Sequence, residues 1–192
     1  MNNGIYLHTH GGYDMNKLKI GIITGSTREG RVSPQVASWV FDYASKHGLA
    51  HFEVIDIKDF DLPFLGTGFN EGVTAYKNKL KEMDGYIFVV AEYNHSITGA
   101  LKNALDWARD EWHNKSAGIV SYGSVGGARA AEHLRGILGE LKIADVRSHV
   151  LLSLFTDFEG QTFKPQALHQ ANLNALIEQV IQWGTALKTI RG

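Results

Sequence analysis

The chain has 192 residues, a net charge of −1 and no cysteine. Near-neutral charge argues against nucleic acid or an anionic membrane as a general partner. The lack of cysteine removes disulfides, thiolate catalysis and Cys-based metal sites, and it fits a cytoplasmic location.

A hydrophobic fraction of 44% with 20% charged residues belongs to a globular protein with one sizeable core. No apolar run approaches the roughly 20 residues that a membrane-spanning helix needs. The first stretch, MNNGIYLHTHGGYDMNK, lacks a basic segment followed by an apolar one, so it does not read as a secretory signal. Residues 1–14 read as a flexible tail or a cloning remnant; a metal shared by His8 and His10 is the less favoured alternative. One domain is expected over residues 15–192.

From Lys19 the pattern alternates between strand and helix. KIGIITG (19–25) is a buried strand, and SPQVASWVFDYASKHG (33–48) is a helix with Pro34 near its start and Gly48 after its end. HFEVIDI (51–57) alternates as a strand does. The acids that follow, Asp56, Asp59 and Asp61, read as a solvated strand end rather than a metal site. VTAYKNKLKEMD (73–84) is a short amphipathic helix, GYIFVVA (85–91) a buried strand, and TGALKNALDWARDEW (98–112) a helix. SAGIVSYG (116–123) is the fourth strand and GGARAAEHLRGILGELK (126–142) the next helix. A fifth strand falls within 144–155, and a last helix runs from about Pro165 to Ile190. Alternating elements of this kind build βαβ units and a mostly parallel, doubly wound sheet. In such sheets ligands lie outside the carboxyl ends of the strands, near the point where strand order reverses.

Three loops at those ends depart from ordinary turns. GSTREGRVSP (25–34) offers the hydroxyls of Ser26, Thr27 and Ser33 and the charges of Arg28 and Arg31 where a helix begins, which suits a phosphate monoester. It is neither GxxxxGK(S/T) nor GxGxxG, so a nucleoside triphosphate loop and a dinucleotide pyrophosphate loop are both excluded. A plain polar loop with a Ser or Thr cap remains open. SYGSVGG (121–127) places Ser121, Gly123, Ser124, Gly126 and Gly127 where backbone can approach a flat ligand. Between them AEYNHSITG (91–99) presents Glu92, Tyr93, Asn94 and Ser96. The amides of 92–94 are expected to face a ring edge, and Ser96 or Thr98 to cap the helix. His95 is as readily a solvated loop residue as a functional one.

GSTREGR, EYNHSITGALKNALDW and SYGSVGGARA together resemble the NADPH-dependent FMN reductases, a group that includes quinone, azo-dye and chromate reductases. The similarity runs from about Lys19 to the end of the fourth helix, and the EYN–GALKNALDW block is its most specific piece. One departure is Ala91, where the family commonly has proline, which would fix the backbone entering the loop.

The resemblance implies a flavodoxin-like α/β fold with a five-stranded parallel sheet in the order 2-1-3-4-5. It implies FMN phosphate held by Ser26, Arg28 and Ser33, with Thr27 and Arg31 as further members. The flavin ring would lie along Glu92, Tyr93 and Asn94, with the Ser121–Gly127 loop on its other side. NADPH or NADH would supply the hydride, a quinone or similar small molecule would accept it in a second step, and no side chain would be catalytic because that chemistry is flavin's. A homodimer or homotetramer is also implied, with Trp107 and Trp112 divided between interface and core. Two alternatives stay open: a flavodoxin-like FMN carrier without NAD(P)H oxidation, and a protein using the same loop for another phosphate.

Overall fold

Seven residues, Gly85–Ala91, are all buried, and they explain the architecture. A strand that meets no water on either side must carry apolar groups on both, and must sit between two layers of helices. Ile87, Val89 and Ala91 face one core, while Tyr86, Phe88 and Val90 face the other. In the computed structural model, which describes residues 17–191, this strand (β3) lies at the centre of a parallel sheet. The expectations for residues 1–14, including His8 and His10, lie outside the described residues.

The sheet comprises β1 (Lys19–Thr24), β2 (His51–Asp56), β3, β4 (Lys115–Gly123) and β5 (Ile143–Ser153), in the order β2-β1-β3-β4-β5. This is the flavodoxin-like order. Helices α1 (Ser33–Lys46) and α5 (Leu168–Lys188) cover one face through Val36, Val40, Leu173 and Leu176. Helices α2 (Glu71–Lys81), α3 (Gly99–Asp106) and α4 (Ala128–Glu140) cover the other through Tyr76, Leu80, Leu101, Leu105 and Leu134. No helix among the described residues is long and apolar enough to cross a membrane.

Three differences from the sequence pattern bear on the site. Helix α2 begins at Glu71 rather than 73, because the Asn70 side chain accepts from the Val73 amide and caps it. Helix α3 stops at Asp106, six residues early. Trp112 lies beyond it, fully buried, its indole donating to the Leu105 carbonyl at 3.1 Å. Trp107 instead reaches the Pro63 carbonyl at 2.6 Å, and Asn103 reaches the same carbonyl at 2.9 Å. The KNALDW block therefore clips the loop after β2 onto α3.

The third difference is an antiparallel pair, β6 (Phe158–Glu159) and β7 (Thr162–Phe163), in the segment before α5. It is anchored by the Asp157 carboxylate, which accepts from the amides of Ser153 at 2.8 Å and Gln166 at 3.0 Å and faces His169 at 2.9 Å. Its aromatic residues Phe158 and Phe163 pack at 5.1 Å against each other, between Tyr122 and Trp39. The hairpin thus leans over the carboxyl ends of the strands.

Close packing of α5 on β4 requires Gly118. A Cβ there would meet Leu176 Cδ2 at 2.5 Å and Val180 Cγ2 at 3.0 Å. Gly118→Ala is expected to lower stability by about 1–3 kcal/mol through overpacking. Urea unfolding measures this as an earlier midpoint at unchanged slope, and an unaltered midpoint contradicts the contact.

Candidate functional site

The strand ends are tied together by one further rung of backbone bonding beyond the sheet. Gly25 N–H donates to the Val89 carbonyl at 2.9 Å, Glu92 N–H to Tyr122 at 3.0 Å, and Leu154 N–H to Gly123 at 3.0 Å. The loops after β1, β3, β4 and β5 are therefore aligned with one another before any side chain acts.

In the loop after β1, Arg31 is committed to framework. Its guanidinium grips the Asp56 carboxylate with both terminal nitrogens, at 2.7 and 2.5 Å, and also donates to the Ser26 carbonyl at 2.6 Å. Thr24 adds a 2.7 Å bond to the same carboxylate. Burial alone would push the Asp56 carboxyl up, but Arg31, Thr24 and the Lys58 amide outweigh it and hold the group below the usual carboxylate range. Asp56 is thus the partner of Arg31 and not part of a solvated strand end. Arg31 shapes the loop from behind instead of offering its charge to a ligand.

Arg28 is the opposite case, exposed and making only a 3.3 Å bond to the neighbouring Glu29 carbonyl. No side chain caps α1, whose first turn begins at Ser33. Ser33 is fully buried, and its hydroxyl has no partner of good hydrogen-bond geometry, only the Tyr122 hydroxyl being near enough to interact with it. Its polar neighbour is Tyr122, whose hydroxyl is pushed up to about 12 by burial, opposed by Ser33 and the Arg28 charge. An uncapped helix start, a stranded hydroxyl and an uncommitted guanidinium together form an incomplete anion receptor.

The loop after β3 is a tight hairpin. Tyr93 and Ser96 exchange two backbone bonds of 2.9 Å each. Asn94 and His95 between them take φ of 46° and 66°, the left-handed pair of a two-residue type I′ turn. The expected row of free amides at 92–94 is corrected accordingly. Those of Glu92 and Tyr93 are spent within the chain, and Asn94 and His95 carry the turn's remaining donors.

The Glu92 carboxylate, 5% exposed, is turned to α4 and held by Arg129. Ser96 points the same way, its hydroxyl 2.8 Å from His133 Nδ1. It does not cap α3. Thr98 does, accepting from the Leu101 amide at 3.0 Å while its hydroxyl donates to the Gly25 carbonyl. Tyr93 is 44% exposed and so is not a core residue.

After β4, Ser121 is buried and donates to the Gly126 carbonyl at 2.8 Å, shaping the turn. Gly126 and Gly127, at φ of 71° and 74°, complete that turn, and Ser124 is exposed at its tip. Gly123 faces Glu92: a Cβ there would lie 3.0 Å from Glu92 Cβ and 3.2 Å from the Gly127 amide nitrogen. The two loops can approach this closely only with glycine.

Two adjoining cavities open between these loops. One, of about 340 Å3, is lined by Arg28, Val32, Glu92, Tyr93, Tyr122 and Gly123, with Leu154, Phe158, Gly160 and Gln161 closing its far side. The other, of about 400 Å3, is lined by Ser26, Thr27, Arg28, Tyr93, Asn94 and Thr98. Arg28 and Tyr93 border both, so they form one groove across the strand ends. Its dimensions and mixed apolar and polar lining suit a flat cofactor with an anionic tail, and the stranded Ser33 hydroxyl fits the phosphate of FMN. Tyr122 and the β6–β7 hairpin were not foreseen as lining. Tyr122 was readable as the bulky member of SYGSVGG, whereas two-residue strands leave no periodic signal.

Residues 18–157 match the NADPH-dependent FMN reductase family. An NAD(P)H-dependent FMN reductase of Schizosaccharomyces pombe is 35% identical over 135 residues, 65% of this chain and 68% of the relative. A 2-hydroxy-1,4-benzoquinone reductase of Burkholderia sp. is 34% identical over 142 residues, 66% of this chain and 73% of the relative. A quinone reductase of Escherichia coli is 34% identical over 184 residues, covering 91% and 98%. Among solved structures, a flavoenzyme NAD(P)H:(acceptor) oxidoreductase from Paracoccus denitrificans superposes with a TM-score of 0.73 at 19% identity, covering 88% of this chain and 98% of that one, which speaks for the fold alone. The chain belongs to the NADPH-dependent FMN reductase family and is a flavin-dependent oxidoreductase drawing on NAD(P)H.

Proposed function

We propose that the chain holds FMN in the groove across its strand ends and uses NAD(P)H to reduce quinones. The observation that carries this reading is the incomplete anion receptor at the start of α1: Ser33 buried without a well-formed hydrogen bond, no capping side chain, and Arg28 free above it. Ser26 and Thr27 complete the phosphate pocket, while Arg31 works through Asp56 to keep the loop in shape. The amides of Asn94 and His95, with Tyr93 and Gly123, border the ring. Ser121, Gly126 and Gly127 set the curvature of the opposite wall, and Ser124 stands at its rim.

FMN, when bound, supplies the two-electron chemistry linking NAD(P)H to the acceptor. The chain's part is to bind, orient and stabilise developing negative charge with fixed backbone donors. No side chain need serve as acid, base or nucleophile.

Tyr93, Val125, Leu154 and Phe155 stand 44, 53, 44 and 79% exposed at the ends of β3, β4 and β5. An apolar rim of this kind suits a flat aromatic acceptor, in keeping with the quinone reductases among the relatives. We place the protein in the cytoplasm as a homodimer or homotetramer. A carrier lacking NAD(P)H oxidation fits less well, since docking to redox partners favours an acidic protein and the net charge is −1.

The purified protein is expected to be yellow, to release FMN and not FAD on denaturation, and to oxidise NADPH when a quinone is supplied. NADPH consumption no faster than with free FMN would leave only a binding role. Arg28→Ala removes a charge-assisted phosphate contact and should raise the FMN dissociation constant roughly 10- to 100-fold, about 1.5–3 kcal/mol. Titration by flavin fluorescence measures it, and parental affinity in the variant contradicts the assignment. Ser33→Ala separates binding from stability. Inside the FMN-free protein the buried hydroxyl has only a poorly formed contact with Tyr122 to lose, so the melting temperature should change little while FMN affinity falls about tenfold. A lower melting temperature with unchanged affinity reverses that conclusion.

A further inference from the structure

We propose that Arg129 is a positioning residue, which from the first turn of α4 splints the Tyr93–Ser96 hairpin in the shape that receives the flavin. The inference rests on the reading that this hairpin borders FMN.

A left-handed pair without glycine persists only where surrounding contacts hold it. Helix α4 supplies those contacts at three points. At the base of the hairpin, both carboxylate oxygens of Glu92 are taken, one by Arg129 Nε at 2.5 Å and one by the Arg129 backbone amide at 3.2 Å, with a third contact from the remaining guanidinium arm. At its apex, Arg129 Nη1 lies 2.8 Å from His95 Nε2. On its far side, His133 Nδ1 lies 2.8 Å from the Ser96 hydroxyl. All three guanidinium nitrogens are thus engaged inside the chain, so Arg129 acts on a ligand through the hairpin and not by touching it.

The loop is entered through Ala91. That residue is paired with Tyr122 in the β3–β4 ladder and has no ring to restrain its backbone. Here the stiffness comes from outside the loop, through a carboxylate 5% exposed and an arginine one helix away. Because Glu92 also packs against Gly123, the splint fixes the hairpin relative to the opposite wall of the groove.

Hydrogen exchange on the FMN-free protein, read beside FMN titration, tests this. In Arg129→Ala the amides of Tyr93 and Ser96, which are bonded across the hairpin, should exchange about tenfold faster while core amides of β4 are unchanged. The FMN dissociation constant should rise roughly tenfold, because a ligand pays for every hairpin conformer that cannot receive it. Arg129→Lys, which keeps one contact to Glu92, should recover part of both. His133→Ala, which frees Ser96 without exposing the Glu92 carboxylate, should accelerate the same amides more mildly, and it serves if Arg129→Ala fails to fold. Weaker FMN binding with unaltered hairpin exchange means direct contact and overturns the proposal, as does faster exchange with parental FMN affinity. A parent protein that takes up no FMN overturns the flavin reading, while faster exchange in the variants still upholds the splint.

Discussion

Everything at the site depends on backbone bonds that continue the sheet one residue past its strands. Gly25 to Val89, Glu92 to Tyr122 and Leu154 to Gly123 fix the first residue of each loop against the neighbouring strand. The strands themselves cannot shift, since β3 and β4 are buried throughout and a slip of one residue would turn each apolar set to the wrong core. A groove floored by such a ladder is formed before any ligand arrives. Association then costs less in ordering, which is how a shallow site can hold a large cofactor.

The side chains divide accordingly into those that brace and those that receive. Arg31 with Asp56, Thr98 with Gly25, and Glu92 with Arg129 each join two loops or a loop to a helix. All are charged or polar groups whose partners lie inside the chain. Arg28, Ser33 and the turn amides of Asn94 and His95 are the groups left over, and they mark where a ligand's charge and edge would fall. On the proposed reading, the division lets a site rich in Glu, Tyr, Asn, His and Ser work with no catalytic side chain among them.

The sheet was legible because its strands are continuous apolar runs separated by helices of regular period, and the three loops were legible because their composition breaks that rhythm. What stayed hidden were pairings over long separations. Arg31 looks like a ligand group until Asp56, 25 residues on, is brought beside it. Glu92 looks reactive until Arg129 covers it. The Asn94–His95 turn carries no glycine to announce a positive φ, and β6 and β7 are too short to show alternation. Trp112 continued the helical spacing of α3 while belonging to the core beyond its end.

The central claim is that the start of α1 exists to bind the phosphate of FMN. Comparing FMN with riboflavin, which differs only by that phosphate, tests it most directly. With Arg28, Ser33 and the helix amides all contributing, calorimetry at fixed ionic strength should show FMN binding roughly a hundredfold more tightly or better. Equal affinity for the two flavins would show that the phosphate finds no partner there, and would contradict the account.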